Sequence, residues 1–434
     1  MRRLKLLSLG LVAAVALAAC AEEEFVLPGP REPIRPETAA PTENVARAFQ
    51  GGPTVANAAW THVNGSPSHV IRQPALGRQL SRVWSADIGD GNGRRHRLTA
   101  DPVVAGGRVF TLDSRSQLSA FSTAGAAQWS RDLTPPSDNA DDASGGGIAY
   151  AGGRVFATTG FGTITVFSAD TGAPGWSQDL DAAATGAPTV ADGVVYVTTR
   201  NDIGWAIDAD TGRILWQVLG APSESGLVGG ASPAVAGRLV VFAFSSGQLI
   251  AVERGSGRRA WLGSVAGARE NRAFSQISDI TGGPIADGAR VFAGNHSGRS
   301  AAFDAATGAP VWSADVGTLN TMWRAGDSVF LVSDENQLVR LDAATGDQVW
   351  SVALPFFEED RQSRRKATFV HYGPVLAGGR LLVASDDGFL RSFDPVDGRS
   401  LGDVELPDAA ARSPVIAGGT LYLVTEGGQI HAFR

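Results

Sequence analysis

Cysteine is almost absent from this sequence: among its 434 residues there is one, Cys20. A single thiol cannot form an intramolecular disulfide, so the folded chain has to be stabilised by packing. Met (2) and Tyr (4) are scarce while Gly (54) is abundant, which is typical of many short strands joined by tight turns. A basic stripe is also missing, and removing the cations of residues 1–5 takes the net charge from −7 to −10. The composition therefore argues against nucleic acid as the main partner.

The N-terminal residues have the organisation of a bacterial export signal. Arg2, Arg3 and Lys5 precede an apolar stretch of about 15 residues, whereas a membrane-spanning helix needs roughly 20. The ending "LAAC" resembles the lipobox of bacterial lipoproteins, in which the Cys is acylated and becomes the mature N-terminus. We therefore expect a signal peptide over residues 1–19, lipidation (palmitate) of Cys20, and anchoring at the periplasmic face of the outer membrane. An ordinary secretory leader that contains a Cys is the alternative.

Residues 20–58 are predicted to form a lipidated, Pro/Glu-rich disordered tether. The stretch "EEEFVLPGPREPIRPETAAPTE" has recurrent Pro and few large apolar residues, so it cannot offset the entropy of ordering.

One phrase recurs along the rest of the chain. "FDAATGAPVW" at 303–312 returns as "LDAATGDQVW" at 341–350, with looser copies at 167–176, 207–216 and 252–261. Each copy follows a Pro-Val or Pro-Ala phrase, a Gly-containing turn and alternating apolar residues, which predicts four short strands per unit. The Trp positions that mark the units are Trp84, Trp129, Trp176, Trp216, Trp261, Trp312 and Trp350.

Counting these units predicts an all-β fold over residues 59–434, an eight-bladed β-propeller of four-stranded antiparallel blades. Seven complete units are followed by three strands of an eighth, and a strand without a unit, residues 80–88, precedes them all. We expect this N-terminal strand to pair into the last blade, because that pairing closes the ring and removes an open sheet edge.

The recurring phrase resembles the tryptophan-docking motif of quinoprotein-type propellers. In that family the Trp ring lies between the Ala of its own motif and the Gly peptide of an adjacent one. The motif residues are therefore interpreted as structural. Arg340 and Val166 replace the expected Ala, Ser256 replaces Thr and Leu401 replaces Trp, so the rim is expected to be looser at those blades.

A catalytic centre is not expected from the residues. The quinoprotein resemblance implies a second hypothesis, a dehydrogenase that uses pyrroloquinoline quinone (PQQ) and Ca²⁺. Such enzymes usually carry an adjacent Cys pair, which this sequence lacks. The acidic cluster Asp138, Asp141 and Asp142 does not have the spacing of a calcium loop, and the six His show no ligand spacing. We predict no catalytic residue, no metal and no cofactor.

Long connections between units suit a protein interface, particularly 221–231 and 264–282, which flank one blade. Leader, tether, blade number and the loop "R-x-x-S-x-x-S-D-I" together resemble the BamB family of lipoproteins of the β-barrel assembly machinery. The resemblance implies that these loops dock the periplasmic POTRA modules of BamA. Matching the family's contact positions gives Leu227, Val228, Asp279 and Thr281. Val228 stands where an Arg is expected and Thr281 where a second acidic residue is expected, so the salt-bridge component is either absent or relocated to Arg269 or Arg272.

The predicted function is thus a non-catalytic scaffold lipoprotein, monomeric within a hetero-complex that also contains other assembly subunits. A PQQ-dependent dehydrogenase-like propeller and an adaptor of another envelope complex are the alternatives.

Overall fold

Strands and tight turns make up almost all of the chain that the structure describes. The computed structural model describes residues 43–223, 230–265, 267, 279–359 and 361–434. Within them, 32 strands form eight four-stranded antiparallel sheets arranged as the blades of a ring. In the described ranges, helix is limited to two 3₁₀ turns, η1 (Val63–Gly65) and η2 (Gln362–Arg364). No helix in these ranges is long and apolar enough to cross a membrane.

The strands follow one another blade by blade. Blade 1 consists of β2 (Val103–Ala105), β3 (Arg108–Leu112), β4 (Gln117–Ser122) and β5 (Ala127–Asp132). Blade 2 consists of β6 (Gly146–Ala151), β7 (Arg154–Thr159), β8 (Thr163–Ser168) and β9 (Pro174–Asp179). Blade 3 consists of β10 (Thr189–Ala191), β11 (Val194–Thr199), β12 (Ile203–Asp208) and β13 (Ile214–Leu219). Blade 4 consists of β14 (Ala234–Ala236), β15 (Leu239–Ala243), β16 (Gln248–Glu253) and β17 (Arg259–Ser264). Blade 5 consists of β18 (Ile285–Asp287), β19 (Arg290–Gly294), β20 (Ser300–Asp304) and β21 (Pro310–Ala314).

The remaining blades complete the ring. Blade 6 consists of β22 (Trp323–Ala325), β23 (Ser328–Val332), β24 (Gln337–Asp342) and β25 (Gln348–Ala353). Blade 7 consists of β26 (His371–Ala377), β27 (Arg380–Ser385), β28 (Phe389–Phe393) and β29 (Ser400–Glu405). Blade 8 combines β30 (Val415–Ala417), β31 (Thr420–Thr425) and β32 (Gln429–Phe433) with β1 (Arg82–Asp87).

Local sequence explains these short strands. In blade 3, Asp192 and Gly193 both have positive φ (48° and 78°), which two-residue hairpin turns require, and they join β10 to β11. The second and third strands of the blades are mostly buried, whereas fourth strands such as β13 alternate between exposed and half-buried residues. The core therefore lies between neighbouring blades, and the fourth strands form the outer wall.

The predicted closure of the ring is confirmed. β1 pairs antiparallel with β32, with Trp84 opposite Ala432 and Ser85 opposite His431. Ser81 and Arg434 also exchange two backbone hydrogen bonds, at 2.6 and 2.9 Å. Because the two ends of the propeller share one sheet, the eighth blade is complete and the ring has no gap.

Each motif Trp docks onto the following blade. The Trp216 indole Nε1 donates to the Arg254 carbonyl at 3.1 Å, and a Cβ placed on Gly257 would lie 2.7 Å from the same ring. Only Gly, here with φ +69°, leaves room for that contact. The receiving glycines for Trp84, Trp129, Trp176, Trp216, Trp261, Trp312 and Trp350 are Gly125, Gly172, Gly212, Gly257, Gly308, Gly346 and Gly398.

The structure places the exception at Gly402 rather than at Leu401. Gly402 lies opposite Ser392, as Trp350 lies opposite Arg340 in blade 6, so Leu401 precedes the Trp position. In blades 1 to 7 the receiving Gly belongs to the turn between the third and fourth strands. In blade 8 these strands, β32 and β1, are separate stretches of the chain, so no such turn exists. A Trp at position 402 would therefore have no glycine to pack on.

An N-terminal segment, residues 43–77, crosses the ring and is called the strap below. Trp60 exchanges backbone hydrogen bonds with Val104 (2.7 and 2.9 Å) and its ring stacks on Trp323 at 5.9 Å. The strap fills the inner edge of the sheets, where backbone groups would otherwise lack partners. Its hydrogen-bond partners, from blade 1 to blade 8, are Val104, Tyr150, Val190, Val235, Ala286, Met322, Gly378 and Ile416.

The first part of the strap corrects the predicted tether boundary at residue 58. Val45 N donates to the Val349 carbonyl at 2.9 Å, and Asn44 makes two hydrogen bonds with the backbone of Ser351. Further along, Arg47 N donates to the Val396 carbonyl at 3.3 Å and Asn57 Nδ2 donates to the Ile416 carbonyl at 2.6 Å. Residues 43–58 thus belong to the ordered body. The tether prediction stands for residues 20–42, outside the described residues.

Arg340 corrects the expectation of a loose rim at blade 6. Its side chain is fully buried, and its guanidinium donates to the Arg47 carbonyl (2.7 Å) and the Pro395 carbonyl (3.0 Å). It also faces Asp327 at 3.3 Å and lies over the rings of Phe49 and Phe330. The residue that replaces Ala therefore joins blade 6, blade 7 and the strap.

Candidate functional site on the loop face

The connections between blades all emerge on one side of the ring, which we call the loop face. They join each fourth strand to the next first strand, and their ranges are 88–102, 133–145, 180–188, 220–233, 265–284, 315–322, 354–370 and 406–414. Turns within blades that carry the Trp-docking glycines lie on the opposite side, together with much of the strap. Sequence-specific features are thus concentrated on the loop face.

A small axial cavity of about 90 Å³ opens at the centre of this face. The strap closes its floor with His62, Val63 and Asn64. Asn64 donates through Nδ2 to the Met322 carbonyl at 2.9 Å, and His62 Nε2 accepts from Val190 N at 3.1 Å. The centre of the ring is therefore a blind recess at this end.

The recess is lined by polar groups that are already paired. Arg412 Nε donates to Asp101 Oδ1 at 2.8 Å, joining blade 8 to blade 1. Asn320 Nδ2 donates to the His371 carbonyl at 2.7 Å, and the Thr281 hydroxyl donates to the Leu319 carbonyl at 2.9 Å. These bonds join blade 8 to blade 1, blade 6 to blade 7 and blade 5 to blade 6, so the lining is structural.

The buried histidines of the strap carry no charge near neutral pH. Burial, with a smaller effect of the His69 charge, lowers the pKa of His62 to about 3. Burial likewise lowers the pKa of His69 to about 4, and its Nδ1 bonds the Pro284 carbonyl at 2.7 Å. A side chain with a pKa of about 3 or 4 binds a proton weakly at pH 7, so it is a poor general base. Both histidines are also held against the blades rather than presented to a substrate.

The residues of the recess do not fit PQQ. Its volume is well below the roughly 300–1,000 Å³ of ordinary ligand pockets. PQQ carries three carboxylates, which would need several cationic side chains as partners. The one Arg among the lining residues, Arg412, is already paired with Asp101. No group of three His, Cys, Asp or Glu side chains within the described ranges is placed to hold a metal ion.

Four of the six predicted partner-binding residues, Leu227, Val228, Arg269 and Arg272, lie outside the described residues. The other two are buried, Asp279 being 6% and Thr281 9% exposed. Thr281 uses its hydroxyl within the ring, as described above. The structure therefore brings Asp279 and Thr281 to the root of the loop 265–284 rather than to an open surface.

The roots of both predicted docking loops are firmly held. Asn295, which is fully buried, donates to the carbonyls of Val265 (3.1 Å) and Gly267 (3.2 Å). On the other loop, Gly230 N donates to the Thr185 carbonyl at 2.6 Å. Sequence reasoning missed Asn295, although the phrase "GNHSG" in a turn between strands is a typical position for a side chain that caps backbone groups.

Comparison with known proteins decides the family. The profile described as "Outer membrane protein assembly factor BamB" matches residues 114–352 and 358–434. The chain belongs to the BamB family. This confirms the resemblance inferred from the leader, the blade number and the loop.

Curated BamB proteins match over most of the chain. Outer membrane protein assembly factor BamB of Yersinia pestis is 26% identical over 372 residues, covering 83% of this chain and 91% of that protein. The protein of the same name from Shewanella oneidensis is 26% identical over 356 residues, covering 80% and 87%.

Solved structures share the fold. BamB from Moraxella catarrhalis superposes with a TM-score of 0.67 at 21% identity, covering 82% of this chain and all of that one. Quinohemoprotein alcohol dehydrogenase from Comamonas testosteroni gives the same TM-score at 14% identity, covering 87% and 80%. At these identities the likeness concerns the propeller, so it does not transfer the dehydrogenase activity.

Proposed function

We propose that this chain is an outer membrane protein assembly factor that acts as a non-catalytic scaffold. The observation that carries the proposal is the BamB family match, which spans most of the propeller from residue 114 to the C-terminus. The recess at the axis is small and its polar groups are internally paired, which favours a binding protein over an enzyme. Cys20 would hold the ring at the periplasmic side of the outer membrane through its lipid.

The loops 220–233 and 265–284 are the proposed docking platform for POTRA modules of a BamA-like partner. They flank blade 4 on the loop face, and their roots are fixed by Thr185 and Asn295. Fixed roots reduce the entropy lost on binding, which favours an interface. Leu227 is the proposed apolar contact, and Arg269 and Arg272 supply the positive charge that is missing at Val228.

Co-purification from detergent-solubilised envelopes tests the proposal. The wild-type chain is expected to retain the BamA-like barrel protein and other assembly subunits. Recovery of the chain without any barrel-assembly protein would contradict the scaffold function itself.

Variants separate the docking loops from the general function. Leu227→Arg and the pair Arg269→Glu with Arg272→Glu are expected to lower partner recovery at least 10-fold. Ser137→Arg, an exposed position in the connection 133–145, is the matched control and should leave recovery unchanged. Asp279 is unsuitable for this test because its burial means that substitution would disturb the loop root. Equal recovery with all three proteins would show that docking occurs elsewhere.

A further inference from the structure

Two connections on the loop face carry a concentration of positive charge that the proposed docking function does not use. We call residues 88–102 and 354–370 the cationic loops; the first joins blade 8 to blade 1 and the second joins blade 6 to blade 7. All their cations are exposed, in a chain whose net charge is −7. These are Arg94, Arg95, Arg97, Arg361, Arg364, Arg365 and Lys366.

Most of these cations have no internal partner. Among the described residues, no carboxylate lies within ion-pair distance of Arg94, Arg95, Arg97, Arg361, Arg364 or Lys366. Arginines elsewhere on the ring are commonly paired, as in Arg154–Asp210 at 2.8 Å and Arg254–Asp192 at 2.7 Å. Unpaired cations gathered on two loops of an acidic protein indicate an external anion rather than internal stabilisation.

The longer cationic loop is a built hairpin. Its arms pair through Phe357 and Thr368, and Phe369 N donates to the Phe356 carbonyl at 2.9 Å. Its root is held by Asn336 Nδ2, which donates to the Phe369 carbonyl at 2.8 Å, and by Asp386, which accepts from Val370 N at 2.9 Å. The tip is therefore presented on a fixed stem.

Aromatic surface accompanies the charge. Phe356 is 36% exposed and its ring centroid lies 4.7 Å from that of Phe357, over which Arg365 sits at 5.0 Å. In the sequence Glu358, Glu359 and Asp360 precede the turn and the four cations follow it, so the hairpin has a net charge of +1. Exposed aromatic and cationic side chains together suit the interface of a membrane, where rings lie at headgroup depth.

Both cationic loops lie on one side of the ring. Blades 7 and 8 lie between the loops, whereas the proposed docking loops flank blade 4. The two surfaces therefore occupy different sectors of the same face.

The strap leads towards the same sector. From Arg47 to Asn44 it runs along β25 from Val349 to Ser351, in the direction of the hairpin that follows β25. Residue 43, the first described residue, thus lies at the blade that carries the hairpin. Residues 20–42, which include the proposed lipidation site Cys20, are joined to the ring at this residue.

We propose that the cationic loops bind the headgroups of anionic phospholipids and so orient the ring, with blades 6 to 8 towards the membrane and blades 3 to 5 away from it. This inference rests on the proposed lipid anchor, which supplies attachment while the loops supply orientation. Each cation near an anionic surface contributes to binding, and the effect is screened by salt. An acidic protein surface shares the charge but would not explain why the strap enters at this sector.

Proximity labelling of the lipidated full chain tests the orientation. A fluorophore on Ser363→Cys, at the exposed hairpin tip, is measured against a headgroup-attached quencher in vesicles of phosphatidylethanolamine with phosphatidylglycerol or of phosphatidylcholine alone. Quenching is expected to be several-fold greater on the anionic vesicles and to fall at 0.5 M salt. A label on Leu219→Cys, 72% exposed on blade 3, should show no such preference.

Charge reversal provides the matched control. Arg361→Glu, Arg364→Glu and Lys366→Glu together should lower the anionic preference by roughly 10-fold or more, to the phosphatidylcholine level. Arg78→Glu, Arg213→Glu and Arg259→Glu, which reverse three exposed cations elsewhere, should not.

An unchanged preference in the hairpin variant, or equal quenching on both vesicles, would overturn the proposal. Loss of a co-purifying envelope protein from that variant, with lipid preference retained, would assign the patch to an acidic protein and overturn it as well. Sedimentation with phosphatidylcholine vesicles reports the lipid anchor separately. A chain without the anchor would stay in the supernatant there, while its anionic preference would still be measured.

Discussion

Replacing Arg340 with Ala separates motif-based reasoning from the structure, because the two predict opposite results. Ala is the residue that the docking motif expects at this position, so the motif predicts an unchanged or tighter rim. The structure predicts a loss, since the Arg340 guanidinium is fully buried and joins blade 6 to blade 7 and to the strap. No other single substitution tests the strap so directly.

The magnitude follows from what the guanidinium contacts. A hydrogen bond to a charged group contributes about 1.5–3 kcal/mol, and removing one partner of a buried charge network costs about 3–5 kcal/mol. Two considerations lower the figure here. Asp327 keeps Arg47 at 3.1 Å, and the Pro395 carbonyl keeps the Trp350 indole at 3.2 Å, so neither is orphaned. We expect the free energy of unfolding to fall by about 3 kcal/mol.

Urea titration followed by Trp fluorescence measures this change, and limited trypsin digestion measures opening of the strap. Cleavage after Arg47 should accelerate by up to roughly 100-fold, because the same contacts hold that segment closed. Arg340→Lys should recover only part of the loss, since Lys lacks the planar fork. Arg258→Ala, at a side chain 78% exposed, is the control and should change stability by less than about 0.5 kcal/mol. An Arg340→Ala protein as stable as wild type, with unchanged cleavage, would refute the assigned role.

Four further measurements address the ring and its face. The free energy of unfolding should fall as the pH drops from 6.5 towards 4, because His62 and His69 are neutral when buried and protonated when unfolded; at pH 5 each histidine costs about 2 kcal/mol. His69→Gln should therefore make the urea midpoint depend less steeply on pH. An equally steep dependence in this variant would show that His69 is not the cause. Trp129→Ala should cost about 3–5 kcal/mol in the same titration, and a change below 1 kcal/mol would contradict docking. Gly402→Trp should give no gain, because Gly402 has φ +116° and blade 8 offers no receiving turn; stabilisation comparable to a docked Trp would contradict this explanation. Asn295→Ala should weaken partner recovery from envelopes while Trp fluorescence stays native, and full recovery would remove Asn295 from the loop root.

The ring could be predicted from the sequence because its information is local and repeated. Each unit spells its own turns and its own docking Trp, so the register of Trp84 to Trp350 counts the blades without knowledge of long-range contacts. The closure of the ring could be predicted from the same count. Residues 80–88 form a strand that belongs to no complete unit, the last unit lacks its fourth strand, and pairing the two removes an open sheet edge. These predictions rest on periodicity, which one sequence can display.

The strap could not be predicted because its contacts are single and non-repeating. Residues 43–77 bond to a different atom on each blade, and no spacing in "NAAWTHVNGSPSHVIRQPALG" announces eight partners. Asn44 and Arg47 lie in a polar stretch whose composition suggests disorder, yet they gain order from β25 and from Arg340. Composition reports what a segment can bury by itself and not which surface is available to receive it.

The same distinction explains how the loop face divides. Trp docking and ring closure use the blades in nearly equivalent ways, so symmetry alone gives no direction to the molecule. The strap breaks that symmetry, because its first described residues pair with the outer edge of blade 6 and with no other blade in the same way. The connection after β25 continues from the strand that receives residues 44 and 45, whereas the connections flanking blade 4 lie two and three blades away. The exposed cations and the proposed partner loops thus occupy different sectors of one face, and the strap marks which sector is which.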